Sequence, residues 1–187
     1  MNFDGFTIQA PGDSPNTDGI HIARSTGVTV ANTNIATGDD CISMGDGITN
    51  ITIENVSCGP GPGISVGSLG KYENEKPVSN VHVRNCRLTG TQNGVRIKTW
   101  PGTDGAITVS DMHFEDIVMN NVQNPVIIDQ EYCPWNTCDK SVCLDLKPLV
   151  SIYFHCIIFM ASFVCFLDLT IYFFYLHGLN GCSPHQR

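Results

Sequence analysis

The sequence predicts an all-β fold, a single-stranded, right-handed parallel β-helix present in part, and three observations carry that reading. Short apolar strands recur 22 residues apart as Ile20-His21-Ile22, Ile42-Ser43-Met44 and Ile64-Ser65-Val66. A second series, Val28-Thr29-Val30, Ile51-Thr52-Ile53, Val81-His82-Val83 and Ile107-Thr108-Val109, is followed each time by a polar turn position, at Asn32, Asn55, Asn85 and Asp111. No amphipathic helical pattern of useful length occurs before residue 140. β-Branched runs punctuated by Gly, Asn and Asp favour strands over helices. A period of this size marks a solenoid, whose units bury their apolar faces only by stacking. A β-sandwich would require hairpin turns every 8–12 residues or so and would leave the aligned columns unexplained.

Taken in chain order, each element fits this frame. Phe6-Thr7-Ile8 is already strand-like just after Met1, with no cap before it, so the chain reads as starting inside a longer solenoid. No secretory signal peptide precedes the fold. The recurring Asn residues suit tight turns, since Asn tolerates left-handed backbone and bonds locally. The first strand of the unit returns as Gly94-Val95-Arg96-Ile97 and as Pro125-Val126-Ile127-Ile128, with the spacing stretched to 31 by loop insertions. Asn50-Ile51-Thr52 and Asn55-Val56-Ser57 are glycosylation sequons, the second lying in the turn column.

The pattern ends near residue 140. The sequence therefore divides into a partial β-helix over 1–140 and a C-terminal tail over 141–187 that breaks the repeat. From Leu149 to Leu167 there is no Asp, Glu, Lys or Arg, and the apolar run resumes from Leu169 to Leu176. That length qualifies as a transmembrane-like helix. The alternative is a translated intron or frameshift, favoured by the abrupt loss of Gly and Asn punctuation. Membrane contact, on either reading, is confined to residues 149–176.

The net charge of −8 and the lack of any basic tract exclude a nucleic-acid binder. Nine cysteines suit an oxidising compartment. Cys41 and Cys58 flank one coil, and Cys133 and Cys138 bracket a short loop. Both pairs are read as disulfides in preference to zinc ligands, because the close paired spacing of metal sites is missing.

The chemistry lies at the starts of the 22-residue units. Asp18, Asp40 and Pro62 each stand two positions before a strand, and Asp39 adds a neighbouring carboxyl. Coils about 4.8 Å apart would stack these positions on one face. Clustered carboxyls are what hydrolysis of a glycosidic bond requires. Packed closely they cannot all ionise, so one proton is retained and the cluster titrates as a unit. Arg96 and Lys98 alternate onto the same side of their strand. They can neutralise the acids, hold an anionic substrate, or do both.

Asn16-Thr17-Asp18-Gly19, Gly38-Asp39-Asp40-Cys41, Gly61-Pro62-Gly63-Ile64-Ser65 with Gly67-Ser68-Leu69-Gly70, and Arg96-Ile97-Lys98 together resemble the four ordered signatures of plant polygalacturonases. These are glycoside hydrolases of family 28, which cleave α-1,4-linked galacturonate in pectin. The resemblance runs from about residue 3 to Cys133. It implies Asp39 as the general acid and Asp18 and Asp40 as the carboxylates that activate water. It also implies inversion at the anomeric carbon; coil spacing alone would put some carboxyls closer than inverting enzymes usually have them. Arg96, Lys98 and Tyr132 would hold the sugar, with Lys71 and His21 as weaker cleft-lining candidates. The resemblance implies a secreted, cell-wall protein acting on polygalacturonate, read as a monomer, with no metal or organic cofactor. One position departs from the pattern: the family places histidine where this chain has Pro62. Proline has no side-chain donor and no backbone N–H. A weak or inactive enzyme is therefore expected. A non-catalytic polygalacturonate-binding protein of the cell wall and a non-functional mis-spliced fragment are the alternatives.

Overall fold

A computed structural model of the chain describes residues 1–101 and 107–138 in full, together with the backbone of strands 150–160 and 163–172. Strands follow one another three to a coil. The first coil holds β1 (Asn2–Asp4), β2 (Thr7–Gln9) and β3 (Ile20–Ile22). The second holds β4 (Thr26–Ala31), β5 (Asn34–Ala36) and β6 (Ile42–Met44), and the third β7 (Thr49–Glu54), β8 (Ser57–Cys58) and β9 (Ile64–Leu69). A fourth contains β10 (Val78–Arg84), β11 (Arg87–Thr89) and β12 (Asn93–Thr99), and a fifth β13 (Val109–Asn120) and β14 (Asn124–Asp129). Each strand pairs in parallel with its counterpart one coil on, so β3-β6-β9-β12-β14 form one sheet. The β1-β4-β7-β10-β13 stack continues through β13 into β11-β8-β5-β2. This is the parallel β-solenoid that the repeat predicts.

Stacking aligns like with like. Ile20, Ile42 and Ile64 are register partners, as are Ile22, Met44 and Val66, and the columns continue through Val95 and Ile97. On the facing sheet Val30, Ile53, Val83 and Phe114 form an equivalent column with no solvent exposure. Every such buried apolar side chain contributes roughly 1.5–3 kcal/mol, and none could be buried by a single coil. The Cys41–Cys58 and Cys133–Cys138 disulfides are both formed. Cys86 is a buried free thiol whose pKa burial pushes up to about 11.

The turn columns are real but differ in one member from the sequence reading. Asn32, Asn55 and Asn85 all have φ near +50°, and register continues them to Asp116, not Asp111. Asp111 instead follows Asn50 and Asn80 in a second left-handed column. The cause is the fifth coil, where Met112 and not Ile107 is the partner of Val81. The Asn column is tied by side chains: Asn55 Nδ2 donates to Asn32 Oδ1 at 3.2 Å, and Asn32 Nδ2 to Asp4 Oδ1 at 2.8 Å.

The apolar tail is extended where it is described. β15 (Val150–Met160) adds in parallel to β13, and β16 (Phe163–Tyr172) turns back antiparallel on β15. The membrane-spanning helix weighed for 149–167 is thus not the conformation of these stretches. Their Val, Ile, Tyr and Phe content fits a pleated surface, and β13 offers an edge of unpaired backbone groups. Among the described residues no helix is long and apolar enough to cross a membrane. The boundary drawn at 140/141 lies outside the described residues.

Candidate active site

Register builds the site. The outward position of the β3-β6-β9-β12 sheet is occupied in turn by His21, Ser43, Ser65 and Arg96. Asp18 and Asp40 stand two residues before register-matched Ile20 and Ile42, and coil-to-coil bonds from Asp39 N to Thr17 O and from Gly19 N to Asp40 O hold those turns together. Asp18, Asp39, Asp40, Arg96 and Lys98 therefore share one groove, with Tyr132 at its end beyond β14.

Two hydrogen-bonded units repeat along the groove. Ser43 Oγ donates to Asp18 Oδ2 at 2.5 Å, and His21 Nδ1 lies 2.7 Å from the same hydroxyl. Because the hydroxyl proton goes to Asp18, Nδ1 must carry the hydrogen of the second bond. One coil on, Ser65 Oγ donates to Asp40 Oδ1 at 2.7 Å and accepts from Arg96 Nε at 3.2 Å. Arg96 Nη2 reaches Asp40 Oδ1 at 3.0 Å, and Lys98 Nζ reaches Oδ2 at 2.9 Å. Asp40 is buried, so these charge-assisted bonds compensate its desolvation.

The other two carboxyls are more open. Asp39 is half-buried and accepts at Oδ1 from the Asp40 backbone N–H at 2.8 Å; among the described residues its second oxygen accepts nothing further. Asp18 has its pKa raised above the usual carboxylate value, chiefly by burial. The Ser43 hydroxyl lowers it, the Asp40 and Asp39 charges raise it, and His21 lowers it slightly. Tyr132 hydrogen-bonds through its backbone N–H to Thr99 O at 3.0 Å, and its ring centre lies 5.2 Å from Lys98 Nζ. Burial raises its hydroxyl pKa, against a lowering by Arg96.

Pro62 is half-buried between two glycines that only glycine can supply. Gly63 has φ +98°, and a Cβ there would stand 2.1 Å from Asn93 O. Gly61 has φ +122° and would meet Asp39 O at 2.7 Å. The carbonyls of both glycines are used by neighbouring coils, accepting from Gln92 and Cys41. The flanking glycine carbonyls thus keep their coil-to-coil bonds, while Pro62 itself offers neither a side-chain donor nor a backbone N–H.

Sequence reasoning singled out the acids and cations but overlooked Ser43 and Ser65. The signal was present: both occupy the column of His21 and Arg96, and each lies 25 residues after the aspartate it binds. A separate depression of about 240 Å³, lined by Thr7, Gln9, Asn34, Arg87 and Thr89 among others, lies on the β2-β5-β8-β11 face. It contains no carboxyl side chain and none of the groove residues.

The family model described as glycosyl hydrolases family 28 matches residues 1–151. A polygalacturonase of Medicago sativa is 67% identical over 140 residues, 75% of this chain and 33% of its own length. An exopolygalacturonase of Oenothera organensis is 57% identical over 147 residues, 79% of this chain and 40% of its own. Among solved structures, the polygalacturonase from Erwinia carotovora ssp. carotovora superposes with a TM-score of 0.63 and 36% identity, covering 71% of this chain and 35% of that one. The chain thus spans about a third of the length of the first curated relatives it matches. On the extent of these matches and the shared solenoid, the chain belongs to glycosyl hydrolase family 28.

Proposed function

We propose that this chain carries the groove of a polygalacturonase, a glycosidase hydrolysing α-1,4 linkages of polygalacturonate in pectin. The observation that carries the reading is the convergence of three carboxyls and two cations from separate coils, with Asp40 bonded to both Arg96 and Lys98. In this reading Asp39 gives its proton to the leaving glycosidic oxygen. Asp18 and Asp40 draw a proton from the attacking water, and the anomeric centre inverts. Burial of Asp18 delays its ionisation, so its action as a base begins at higher pH than an ordinary carboxylate would allow. Arg96 is the better placed cation for a galacturonate carboxylate. Its Nε and Nη2 are engaged, but Nη1 has no partner among the described residues. Lys98 is more deeply buried and acts mainly on Asp40, while Tyr132 lines the sugar site. Residues 1–140 form a partial glycosidase domain, residues 141–187 a hydrophobic tail, and the protein works as a secreted monomer at the cell wall.

Pro62 limits the rate. Loss of a positioned acid, base or hydrogen-bond donor typically costs on the order of 10²–10⁴-fold. The chain is accordingly a weak or inactive hydrolase, and Pro62 also favours a second reading, a wall protein that binds polygalacturonate without turnover. Reducing-end release from polygalacturonate by the parent and by Pro62→His tests both. A gain of about 10²-fold or more supports the compromised enzyme. Binding without release in either protein supports the second reading. A parent as fast as active family members would remove the role given to Pro62.

A further inference from the structure

Two side-chain amides, one near the start of β7 and one just past its end, carry the same Asn-x-Ser/Thr pattern, and the fold treats them differently. Asn50 heads Asn50-Ile51-Thr52, and Asn55 heads Asn55-Val56-Ser57. Both are exposed, and both have left-handed backbone, with φ +57° and +54°. Neither takes part in the groove, which lies on the β3-β6-β9-β12 sheet, whereas β7 belongs to the facing one.

Asn55 is enclosed by its own column. Register sets it between Asn32 and Asn85 of the adjoining coils. Its Nδ2 donates to Asn32 Oδ1 at 3.2 Å, inside the ladder that ends on Asp4. The ion pair of Glu54 and Arg84 stands next to it in the chain. A group attached to that nitrogen would have to pass a side chain on either hand.

Asn50 is placed otherwise. Its counterpart on the preceding coil is Gly27, which falls between the register pairs Thr26–Thr49 and Val28–Ile51. A Cβ built on Gly27 would meet, among the described residues, only Asn50 Nδ2, at 3.9 Å, so the space over that coil is open. On the following coil the counterpart is Asn80, whose Oδ1 is turned to His82 Nε2 at 3.0 Å.

We infer that Asn50 is an N-glycosylation site and that Asn55 stays bare in the folded protein. In the transfer, Asn50 Nδ2 forms a bond to the anomeric carbon of an N-acetylglucosamine carried on a lipid pyrophosphate. The bond from that carbon to the pyrophosphate oxygen breaks, the lipid pyrophosphate leaves with the electron pair, and one Nδ2 proton goes to a base. Transfer precedes closure of the coil. Ile51 and Ile53 are wholly buried and β7 is paired on both sides, so no enzyme can take the folded segment as a free extended peptide. The fold then acts as a sieve: a sugar on Asn50 stands over Gly27 and leaves the coil contacts as they are, whereas one on Asn55 must displace the asparagine ladder. A bulky, solvated chain at residue 50 also leaves the groove sheet uncovered. The assignment rests on the reading of a secreted protein, because the sugar donor is met on that route.

The full chain, given a cleavable secretory leader and produced in a eukaryotic cell, tests it by glycopeptide mass spectrometry of both the soluble and the total chain. Asn50 is expected to carry the sugar in most soluble molecules, with Asn55 unmodified. Endoglycosidase treatment should shift the parent and Asn55→Gln by a single glycan on a denaturing gel and leave Asn50→Gln unmoved. Asn50 bare in both fractions overturns the site. Equal occupancy of the two asparagines in the soluble fraction overturns the selection by the fold. Because the total chain is read as well, a variant that folds poorly still reports its occupancy. The leader supplies the route, so either failure leaves the cell-wall reading standing. That reading fails separately, if the protein in its own tissue remains inside the cell.

Discussion

Lys98→Met is the substitution that most sharply tests the electrostatics of the groove. The methionine keeps much of the stem length and removes only the ammonium. Asp40 is 2% exposed and Lys98 6%, and they meet at 2.9 Å. Removing one member of a buried pair typically costs about 3–5 kcal/mol, because a charge is left uncompensated. Here Asp40 keeps Arg96 at 3.0 Å and the Ser65 hydroxyl at 2.7 Å, so the loss is nearer one charge-assisted bond, about 2–3 kcal/mol. For a chain of this size that corresponds to roughly 4–12 °C in Tm. Urea unfolding of the parent, Lys98→Met, Asp40→Asn and the double variant closes a cycle that isolates the pair. A coupling of about 1.5–3 kcal/mol is expected. If Lys98→Met stays within about 0.5 kcal/mol of the parent, as surface substitutions do, or if the two losses simply add, the account of Asp40 fails.

Four further outcomes follow from the same geometry. Gly63→Ala should cost roughly 3 kcal/mol or more in denaturant unfolding, since its Cβ would stand 2.1 Å from Asn93 O at a φ of +98°; a parent-like midpoint would contradict that contact. Carbonyl carbon NMR should show Asp18 titrating above the ordinary 3.8, and higher still in Ser43→Ala, because the hydroxyl favours the ionised form; an inflection at or below 3.8 would refute the burial argument. With its folded pKa raised, Asp18 contributes most to stability below 3.8 and loses that contribution as pH rises through the folded value. Asp18→Asn should therefore gain stability relative to the parent across that interval, and a parallel pH curve would count against it. Cys58→Ala opens a loop of 17 residues and is expected to lower stability by about 3 kcal/mol under oxidising conditions, with no difference once both proteins are reduced.

What could be read from the chain was whatever the repeat encodes. The 22-residue spacing placed Ile20, Ile42 and Ile64 in one column and so put Asp18 and Asp40 at one end of one sheet, as the register has them. Alternation along β12 likewise put Arg96 and Lys98 on one side, and both reach Asp40. Where the period drifted, the reading slipped: in the fifth coil β13 runs unbroken for 12 residues, so counting from Ile107 chose Asp111 for a column that belongs to Asp116. Ser43 and Ser65 were passed over because a serine inside an apolar triplet reads as strand filler. Only the neighbouring coil turns it into a relay between an acid and a basic side chain. The tail was legible as apolar and aperiodic, but length alone could not separate a helix from strands added at the edge of β13.

A crystal structure of the chain soaked with trigalacturonate tests the central claim most directly. The account predicts a galacturonate carboxylate within hydrogen-bond distance of Arg96, with a glycosidic oxygen facing Asp39 and Asp40. Sugar lodged elsewhere, as in the depression beside Asn34 and Arg87, or a groove left without sugar at saturating ligand, would contradict it.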